Sequence, residues 1–368
     1  MIEHDATETL VEQVRAAHAS ATPLRVVGGD SKAFLGRTVA GKPLEVAWHR
    51  GVVTFDPGEL VLTARAGTPL RDVEALLASR GQRLPFEPPG YGTAATIGGT
   101  VACGLAGPSR AWAGPLRNHL LGVRVLAGDG RVLRFGGEVM KNVAGYDLAR
   151  TFAGSHGTLG VLLDVSMKLL PCPPATRTLA LELDQAAALS RLVDLARGAL
   201  PLTASSWHGD RLHLRFEGSE RTLDEVAQRV GGETIVDGAT HWHAVREHEH
   251  AFFANARELW QLHVPPETPP LPLPGMPLVE WNGLQRWYAY VPGTYDAAAV
   301  VGAAREAGGH ATAVRRTDPR APVFTEPAPA LLELHRSLKR IFDPAGILNP
   351  GRMSFVLPQP PARARCHG

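Results

Sequence analysis

The sequence predicts an α+β protein of two domains, and three observations support this fold class. The chain has 368 residues, which is longer than one ordinary hydrophobic core requires. The cluster Pro171-Cys172-Pro173-Pro174 interrupts the chain near its middle. Before this cluster, short strands alternate with turns and glycine-rich loops, whereas after it helical patterns alternate with strand patterns.

The part before the proline cluster contains two predicted helices among six predicted strands. An apolar stripe at helical spacing over residues 10–17 predicts the first helix. The second helix has Thr68 as its expected N-cap, Pro69 at its first position and Gly81 just past its end. The strands are predicted over 24–27, 52–55, 60–66, 120–126, 131–135 and 159–170.

The part after the proline cluster predicts an α+β domain with a compact antiparallel sheet. Thr222 and Glu225 form an expected capping box, and the proline-rich residues 265–277 predict a loop or surface arm. The helices are expected over 185–199, 220–230, 294–307 and 328–342, and the strands over 179–183, 211–216, 285–291 and 310–316. We therefore expect a first domain over 1–173, an α+β cap over 174–327, a C-terminal segment over 328–356 that returns to the first domain, and a tail over 357–368.

Composition and charge exclude several classes of function. Hydrophobic residues make up 44% of the chain and charged residues 20%, as in folded globular proteins. A net charge of only +2 gives no indication of a nucleic-acid or membrane surface. Cys103, Cys172 and Cys366 have no paired spacing, so they fit a reducing compartment better than disulfides or a zinc site. The start of the chain lacks signal-peptide features and no apolar run could cross a bilayer, so we expect a cytoplasmic protein.

The first glycine-rich loop, Gly28-Gly29-Asp30-Ser31-Lys32, directly follows a predicted strand. Adjacent glycines allow turns that point successive amide groups into one concavity, which suits phosphate oxygens. Ser31 adds a hydroxyl group and Lys32 a positive charge. Many strand ends carry such turns, so this loop by itself leaves a phosphate site and a simple turn equally open.

A second loop over 88–104 and a third over 154–161 are also built of small residues. A stretch of this kind cannot build its own core, so either a ligand approaches its backbone or it packs tightly on a neighbouring strand. None of the loops matches the dinucleotide fingerprint or the triphosphate-binding loop, which disfavours a Rossmann domain and a nucleotide triphosphatase. Three such loops in one domain predict a long ligand that passes several turns.

The order of these motifs resembles the FAD-binding domain of the vanillyl-alcohol oxidase and p-cresol methylhydroxylase type. Within that type it resembles the family of FAD-binding subunits of bacterial glycolate oxidase. The segments that carry the resemblance are Val27–Gly36 (VGGDSKAFLG), Gly51–Leu70 (GVVTFDPGELVLTARAGTPL), Ala95–Gly107 (ATIGGTVACGLAG), Gly114–Gly122 (GPLRNHLLG), Lys141–Leu148 (KNVAGYDL), Gly154–Val161 (GSHGTLGV) and Phe342–Arg352 (FDPAGILNPGR).

The resemblance implies a two-lobed FAD-binding domain over 1–173 plus the α+β cap, with the first loop at the FAD pyrophosphate. It also implies that residues 96–99 and Ala102 line the path of the pyrophosphate and the flavin, and that Val161 bonds through its backbone near the adenine. No histidine lies in the first loop, where some relatives attach FAD covalently, so we expect non-covalent FAD. The implied cofactor-binding residues are Gly28, Gly29, Asp30, Ser31, Lys32, Thr96, Ile97, Gly98, Gly99, Ala102, Gly157, Val161 and Asn349.

The sequence identifies no catalytic residue with the same clarity. A flavin enzyme that oxidises a 2-hydroxy acid needs a cation for the substrate carboxylate and a base for the hydroxyl proton. The histidine-rich cap motif of related D-2-hydroxy-acid dehydrogenases is absent. Arg286, among aromatic residues, is a weak candidate for the carboxylate contact, and a packed strand or a subunit contact is the alternative. The four histidines between 241 and 250 indicate a polar helix face rather than a metal site, and we expect no metal.

Two further polar features remain open. Arg117 is followed by Asn118 where many relatives have an aspartate, which leaves this arginine available for an anion or for a different surface partner. Lys141, Asn142, Tyr146 and Asp147 lie close together in the sequence and either support the flavin domain or take part in catalysis.

The resemblance implies a subunit of a glycolate (2-hydroxy acid) oxidase or dehydrogenase complex, which oxidises glycolate to glyoxylate. Electrons would pass through the flavin to an iron–sulfur subunit, because this chain has no cysteine set for a cluster of its own. A sister FAD-linked subunit is the other implied partner, and contact with the inner membrane would come only through these partners. The alternatives are a non-catalytic, FAD-containing assembly subunit and a free-standing flavin-dependent alcohol or carbohydrate oxidase.

Overall fold

The computed structural model describes residues 3–137, 147–318, 321 and 323–353. Up to the proline cluster, the elements are α1 (Thr7–Ala19), β1 (Leu24–Val27), β2 (Lys42–Glu45), β3 (Val52–Asp56), β4 (Val61–Arg65), α2 (Leu70–Ala78), β5 (Gln82–Arg83), α3 (Ile97–Cys103), α4 (Arg110–Ala113), β6 (Leu120–Leu126), β7 (Val132–Gly136), β8 (Val161–Lys168) and β9 (Leu170–Pro171). From there on they are β10 (Ala175–Glu182), α5 (Gln185–Arg197), β11 (Leu202–His208), β12 (Arg211–Gly218), α6 (Glu220–Val230), β13 (Glu233–Ile235), α7 (Gly238–Glu247), α8 (Ala251–Ala254), β14 (Glu258–His263), β15 (Leu278–Glu280), β16 (Gln285–Tyr290), α9 (Ala297–Glu306), β17 (His310–Arg315) and α10 (Pro329–Phe342).

The strands form two main sheets and two small ones. The first main sheet is antiparallel, in the order β3-β4-β8-β6-β7, and β1 pairs with β2 in a separate parallel sheet. The second main sheet has eight antiparallel strands in the order β13-β10-β12-β11-β15-β16-β14-β17. Helices pack on both main sheets, so the α+β fold class is confirmed.

The hydrophobic core of the first half extends to the C-terminal segment. It is built from α1, the first sheet, α2 and α3, and it also contains Phe342, Ile347 and Leu348. After α10 the chain therefore returns to the first core, and the amide of Leu24 in β1 donates to the carbonyl of Ile347 at 2.8 Å. This return brings residues 349–352 beside the end of β1.

One helix, α3, lies where the sequence analysis predicts only a glycine-rich loop. Thr96 is its N-cap, because its side-chain oxygen accepts from the amide of Gly99. Gly104 ends it in the left-handed conformation with φ 65°. A Cβ atom at Gly98 would lie 2.4 Å from the Cβ of Ala66, so the small residues let this helix lie directly against the end of β4.

The predicted capping roles of Thr68 and Thr222 are both wrong, although α6 has the predicted bounds 220–230. The hydroxyl of Thr68 accepts from the amide of Gly51 at 2.9 Å, so this side chain fixes the preceding turn and α2 begins only at Leu70. In α6 the N-cap is Ser219, whose hydroxyl accepts from the amide of Thr222 at 3.2 Å. Thr222 therefore lies within the helix, and the predicted capping box with Glu225 does not form.

The other element boundaries agree with the predictions within a few residues, with one break. The strand predicted over 159–170 ends at Lys168, and Leu170–Pro171 form a short separate strand that pairs with Gln82–Arg83. None of the helices in the described ranges is both long and apolar enough to cross a membrane.

Candidate functional site

The three glycine-rich loops and the C-terminal segment meet at one cavity in the first half of the chain. Its volume is about 740 Å³, including space that is open to solvent. The residues that line it are Val26, Gly28, Gly29, Asp30, Ser31, Lys32, Ala33, Val46, Ala66, Thr96, Gly98, Gly99, Ala102, Cys103, His156, Gly157, Gly160, Leu162, Asn349 and Arg352.

The first loop offers hydrogen-bond donors that the protein itself does not use. Within the described part of the chain, the amide groups of residues 29–32 donate to no other atom. Asp30 adopts a positive φ of 55°, and its carboxylate accepts from Arg25 at 3.0 Å. Successive amides in such a turn form a concavity for anionic oxygens. The loop therefore has the geometry of an anion site before any ligand is considered.

Glycine is required where the first loop meets the second. A Cβ atom at Gly29 would lie 1.4 Å from the carbonyl oxygen of Ala94, and one at Gly28 would lie 2.6 Å from Oγ1 of Thr96. The two loops are thus in backbone contact, and no larger residue fits between them. This contact brings α3 and the free amides of the first loop to the same cavity.

Two cations lie at the cavity, both in desolvated positions. Lys32 is buried, and its ammonium group donates to the carbonyl of Gly90 at 3.2 Å. Burial lowers the pKa of Lys32, while nearby Cys103 and Glu247 act in the opposite direction. Arg352 donates to the carbonyl of Lys32 at 3.2 Å, and burial lowers its pKa as well. A poorly solvated positive charge favours an anionic ligand strongly, because water compensates it only weakly.

The third loop is held to the C-terminal segment by Asn349. Its side-chain oxygen accepts from the amide of Val26 at 2.8 Å, and its side-chain nitrogen donates to the carbonyl of His156 at 2.7 Å. A Cβ atom at Gly157 would lie 2.8 Å from the Asn349 nitrogen, so glycine is required there too. Asn349 therefore ties β1, the third loop and the C-terminal segment into one wall of the cavity.

His156 is a cavity residue that the sequence analysis did not single out. It adopts a positive φ of 52°, and its ring nitrogen Nδ1 is buried with no hydrogen-bond partner among the described residues. Burial lowers the pKa of His156 to about 4, with a further contribution from Arg352. The ring is therefore neutral near pH 7, and it lines the cavity while its Nδ1 atom lies beneath the surface without a partner among the described residues.

The structure brings most of the predicted cofactor-binding residues to this cavity. Ile97 and Val161 are the exceptions, since both are fully buried in the first core. Cys103, which the sequence analysis did not assign to the cofactor, lines the cavity, and burial raises the pKa of its thiol. Arg352 also lines the cavity, although the sequence analysis did not predict it as a cofactor-binding residue. Its position three residues after Asn349, which was predicted, is the sequence signal that could have identified it.

The cap holds the second loop from outside the cavity. The Glu247 carboxylate accepts from the amides of Gly90 and Tyr91, at 3.0 and 2.7 Å. The hydroxyl of Tyr91 lies 3.2 Å from Nε2 of His248. These bonds join α7 to a loop whose other end lies at the cavity, so the cap positions one cavity wall.

A network of charged side chains forms a second contact between the halves. Arg83 lies 2.8 Å from a carboxylate oxygen of Glu217, and Arg215 lies 2.8 Å from one of Glu87. Arg215 and Glu217 are both less than 10% exposed, so these pairs are little screened by water. The network fixes β12 of the cap against the segment that precedes the second loop.

Arg286, the weak catalytic candidate, lies elsewhere. It is fully buried, and its guanidinium donates to the backbone carbonyls of Thr268, Pro269 and Gly283. These contacts hold the proline-rich arm on β16 and account for the buried charge without a ligand. Among the described residues, none between 174 and 327 lines the cavity.

Two of the cap histidines pack on each other, and His248 stacks on Phe253 instead. The rings of His213 and His241 are stacked at 4.0 Å, and Nε2 of His241 lies 2.8 Å from the hydroxyl of Ser206. Burial lowers the pKa of His241 to about 3. Over the described ranges, no group of three or more potential ligands is arranged to hold a metal ion.

One residue of the polar patch predicted at 141–147 falls within the described ranges. Lys141, Asn142 and Tyr146 lie outside the described residues, while Asp147 accepts from Arg150 at 2.9 Å on the surface. Arg117 is exposed and makes no ion pair with a described residue.

Comparison with known protein families agrees with this geometry. A family described as "FAD binding domain" matches residues 2–136, which include the first two loops. A second family, "FAD linked oxidases, C-terminal domain", matches residues 307–353, which include Asn349 and Arg352. The two matches thus cover three of the four segments that meet at the cavity.

Three relatives with known roles are similar to this chain. Glycolate oxidase subunit GlcE of Escherichia coli (strain K12) is 45% identical over 351 residues, which are 95% of this chain and 98% of that protein. D-2-hydroxyglutarate dehydrogenase of Xanthomonas citri pv. viticola is 28% identical over 58% of this chain and 46% of its own length. Glycolate oxidase subunit GlcD of Bacillus subtilis (strain 168) is 34% identical over 35% of this chain and 27% of its own length.

Among solved structures, alkyldihydroxyacetonephosphate synthase has a similar fold. The TM-score is 0.65 at 15% sequence identity, and the match covers 93% of this chain and 74% of that protein. At this identity the likeness concerns the fold alone.

Proposed function

The chain belongs to the family of FAD-binding glycolate oxidase subunits among the FAD-linked oxidoreductases, and we propose that it serves a complex that oxidises glycolate to glyoxylate. FAD is the cofactor of this family of oxidoreductases. In the proposed complex a sister FAD-linked subunit and an iron–sulfur subunit are its partners, and any contact with the inner membrane is made through them.

The observation that carries the proposal is the fit between the cavity and FAD. The free amides of residues 29–32, together with Lys32, suit the pyrophosphate, which carries negative charge. Gly98, Gly99 and Ala102 present a surface without bulky side chains, where a flat ring system can approach the backbone. When bound, the flavin supplies the capacity to accept a hydride from the substrate carbon and to pass electrons on.

Each part of the chain has a defined task in this proposal. Residues 1–173 hold FAD without a covalent bond, and residues 328–356 close the cavity through Asn349 and Arg352. The cap, residues 174–327, positions the second loop through Glu247. Lys32 and Arg352 keep the cavity positive, which also favours a substrate that carries a carboxylate.

A second candidate function has its own support. No described cap residue lines the cavity, and Arg286 is bonded to backbone carbonyls, so a base and a carboxylate clamp above the flavin are not evident among the described residues. In this alternative the chain is an FAD-containing assembly subunit, and the sister subunit reacts with the substrate. A free-standing alcohol or carbohydrate oxidase is the third candidate, and it predicts turnover by the isolated chain with oxygen.

Anaerobic addition of glycolate to the flavin-loaded protein separates these candidates. The proposal predicts that the flavin absorbance of this chain bleaches when its partner subunits are present. If the flavin of this chain stays oxidised in the assembled complex while the sister flavin is reduced, the assembly role is correct. If glycolate reduces no flavin in the assembled complex, the proposed substrate is wrong.

We expect His156 to contribute one hydrogen bond to FAD. The His156→Gly variant removes the ring, and glycine adopts the positive φ without strain. Any loss of FAD affinity is therefore caused by the absence of the ring. We predict an FAD dissociation constant about three- to tenfold higher than in the wild type, the value of one hydrogen bond. Titration of the FAD-free chain, followed by flavin fluorescence, measures this constant.

His156→Asn is the matched comparison for this experiment. Asparagine tolerates positive φ and keeps a side chain that can donate and accept, so its dissociation constant should lie closer to that of the wild type. Equal affinities of the wild type and the glycine variant would show that the His156 ring does not contact FAD.

A further inference from the structure

Arg110 is a half-buried arginine whose charge no described residue neutralises. It begins α4, the helix of the first domain whose Trp112 packs on the core of the cap. The Arg110 guanidinium lies over the ring of Trp281 in the cap, 4.4 Å from the ring centre. Burial lowers the pKa of Arg110, and the positive charge of Arg117 acts in the same direction. A positive charge without an acidic partner thus lies where the two halves of the chain meet.

Contact with Trp281 leaves the edge of the Arg110 guanidinium free. The contact uses only the flat face of the group, and the five N–H donors lie in its plane. Over the described ranges these donors have no acceptor, and none of the three nitrogen atoms is shielded from solvent. An anion that arrives from solvent can therefore bond to this edge, and a carboxylate can do so through two parallel hydrogen bonds.

The Trp281 ring is held in its place by a strained turn. Trp281 adopts a positive φ of 54° and Asn282 one of 60°, a region that bulky side chains rarely enter. The indole Nε1 of Trp281 donates to the carbonyl of Gly107 at 2.9 Å, and the amide of Asn282 donates to the hydroxyl of Ser205 at 2.9 Å. Strained backbone of this kind clusters at sites that hold ligands. The turn is therefore a second indication, independent of charge, of a ligand beside Arg110.

Two histidines of the cap extend this surface. The ring of His263 stacks on Trp281 with centroids 5.4 Å apart, and the ring of His310 lies 4.9 Å from that of His263. Desolvation lowers the pKa of both histidines, and the charge of Arg110 lowers both further, so both rings are neutral near pH 7. His310 is exposed and makes no hydrogen bond to any residue that the structure describes. A neutral ring has one N–H group, which His310 can donate to a ligand.

We propose that Arg110 and His310 bind a small carboxylate where the first domain meets the cap, with Trp281 as the support of the guanidinium. The carboxylate would accept two hydrogen bonds from Arg110 and one from His310, so it would connect the two halves. The identity of the ligand rests on the proposed function, whose substrate glycolate and product glyoxylate are both small carboxylates. None of the three residues lines the cavity assigned to FAD, so the two sites are distinct.

Charge and access both favour a small monoanion. One unpaired guanidinium beside a neutral imidazole balances a single negative charge. Arg110 is half-buried beside the Trp281 turn, which leaves its edge more accessible to a small anion than to a protein surface. The alternative occupant is an acidic side chain of a partner subunit, and the experiment below distinguishes the two.

The test is calorimetric titration of the FAD-loaded chain with acetate, which has the carboxylate but no hydroxyl group to oxidise. Arg110→Met keeps an unbranched apolar side chain against Trp281 and removes every donor, so we expect acetate to bind at least tenfold more weakly. Arg110→Lys keeps the charge without the paired donors, and its affinity should lie between the two. His310→Ala should weaken binding about three- to tenfold, the value of one hydrogen bond.

Arg80→Met is the matched control, because Arg80 is exposed and also has no ion-pair partner in the described part of the chain. It should bind acetate like the wild type. All variants should retain the wild-type FAD content and melting temperature without ligand. If Arg110→Met does not, Arg110→Lys and His310→Ala decide the question.

Competition of glycolate and of glyoxylate against acetate, without oxygen, separates the two sources of the carboxylate. If glycolate displaces acetate at the lower concentration, the site takes the substrate. If glyoxylate does so, the site takes the product. In both cases the competition should be lost in Arg110→Met.

Three outcomes would overturn the site. The first is a wild-type chain that binds none of the three carboxylates saturably. The second is binding that Arg110→Met and His310→Ala leave unchanged. The third is an Arg110→Met variant that binds acetate normally but associates at least tenfold more weakly with the sister subunit, which would assign Arg110 to an acidic residue of that subunit. Failure of glycolate to reduce any flavin in the assembled complex would instead contradict the proposed function, because acetate binding requires no oxidation.

Discussion

Replacing Gly29 by alanine is expected to remove FAD from the protein. The new Cβ atom would lie 1.4 Å from the carbonyl oxygen and 2.4 Å from the carbonyl carbon of Ala94. Both contacts are with backbone, so no side chain can rotate away, and the first loop has to move. The free amides of residues 29–32 would then no longer face one ligand position. We predict that the FAD content of the purified variant falls from about one per chain to near zero.

The control for this experiment is another glycine that alanine can replace without contact. Gly302 lies in α9, and a Cβ atom there would meet no atom within 4 Å. Gly302→Ala should keep full FAD content and raise the free energy of unfolding by about 0.5–1 kcal/mol, because alanine favours the helix. A Gly29→Ala variant that purifies with full FAD would contradict the proposed role of the first loop.

The second large effect is expected at the buried ion pair of the last helix. The Asp343 carboxylate is fully buried and accepts from the ammonium group of Lys339 at 2.5 Å. It also accepts from the amides of Ile347 and Leu348, at 3.1 and 2.8 Å. In Asp343→Asn the side-chain NH2 group of asparagine would replace one carboxylate oxygen and would therefore face one of these donors. Lys339 would also lose its counter-charge. Breaking a buried pair in this way costs about 3–5 kcal/mol of unfolding free energy.

The effect of Asp343→Asn should reach the cavity proposed for FAD, because the turn that Asp343 holds directly precedes Asn349. The Lys339 ammonium group also donates to the carbonyls of Thr158 and Leu348, which belong to the third loop and the C-terminal segment. We therefore expect Asp343→Asn to lower the melting temperature and to weaken FAD binding together. Denaturant unfolding and fluorescence titration measure the two effects.

An exposed ion pair on the same helix provides the comparison. Arg340 and Glu333 lie 2.8 Å apart, and both side chains are more than half exposed. Glu333→Gln should leave the midpoint of denaturant unfolding close to that of the wild type, since exposed pairs contribute little. If Asp343→Asn were as mild as Glu333→Gln, the buried pair would not secure the C-terminal segment.

Local patterns in the sequence were sufficient to predict much of the structure of the first domain. The hairpin over 120–136 follows from two apolar strands around a turn with glycines, and the structure has β6 and β7 there. The first and third glycine loops follow strands or lead into them, and both reach the cavity. These features depend on residues that are close in sequence, where turn chemistry and periodicity decide the outcome.

Features that depend on distant residues were not predictable in the same way. Nothing near Thr68 in the sequence shows that its hydroxyl bonds to the amide of Gly51 instead of capping α2. The Glu247 carboxylate meets Gly90 across 157 residues, so no local pattern signals that contact. The residues around Arg286 in the sequence suit a ligand contact and a packed strand equally well. Only the backbone carbonyls that accept from its guanidinium show how its charge is compensated.

The most direct test of the account is the visible absorbance spectrum of the isolated chain. The chain is first incubated with excess FAD and then separated from free FAD by gel filtration. The account predicts a flavin band with about one FAD per chain, which is released when the protein is denatured because no covalent bond holds it. A chain that is folded by circular dichroism but elutes without a flavin band would contradict the assignment of the glycine-lined cavity to FAD.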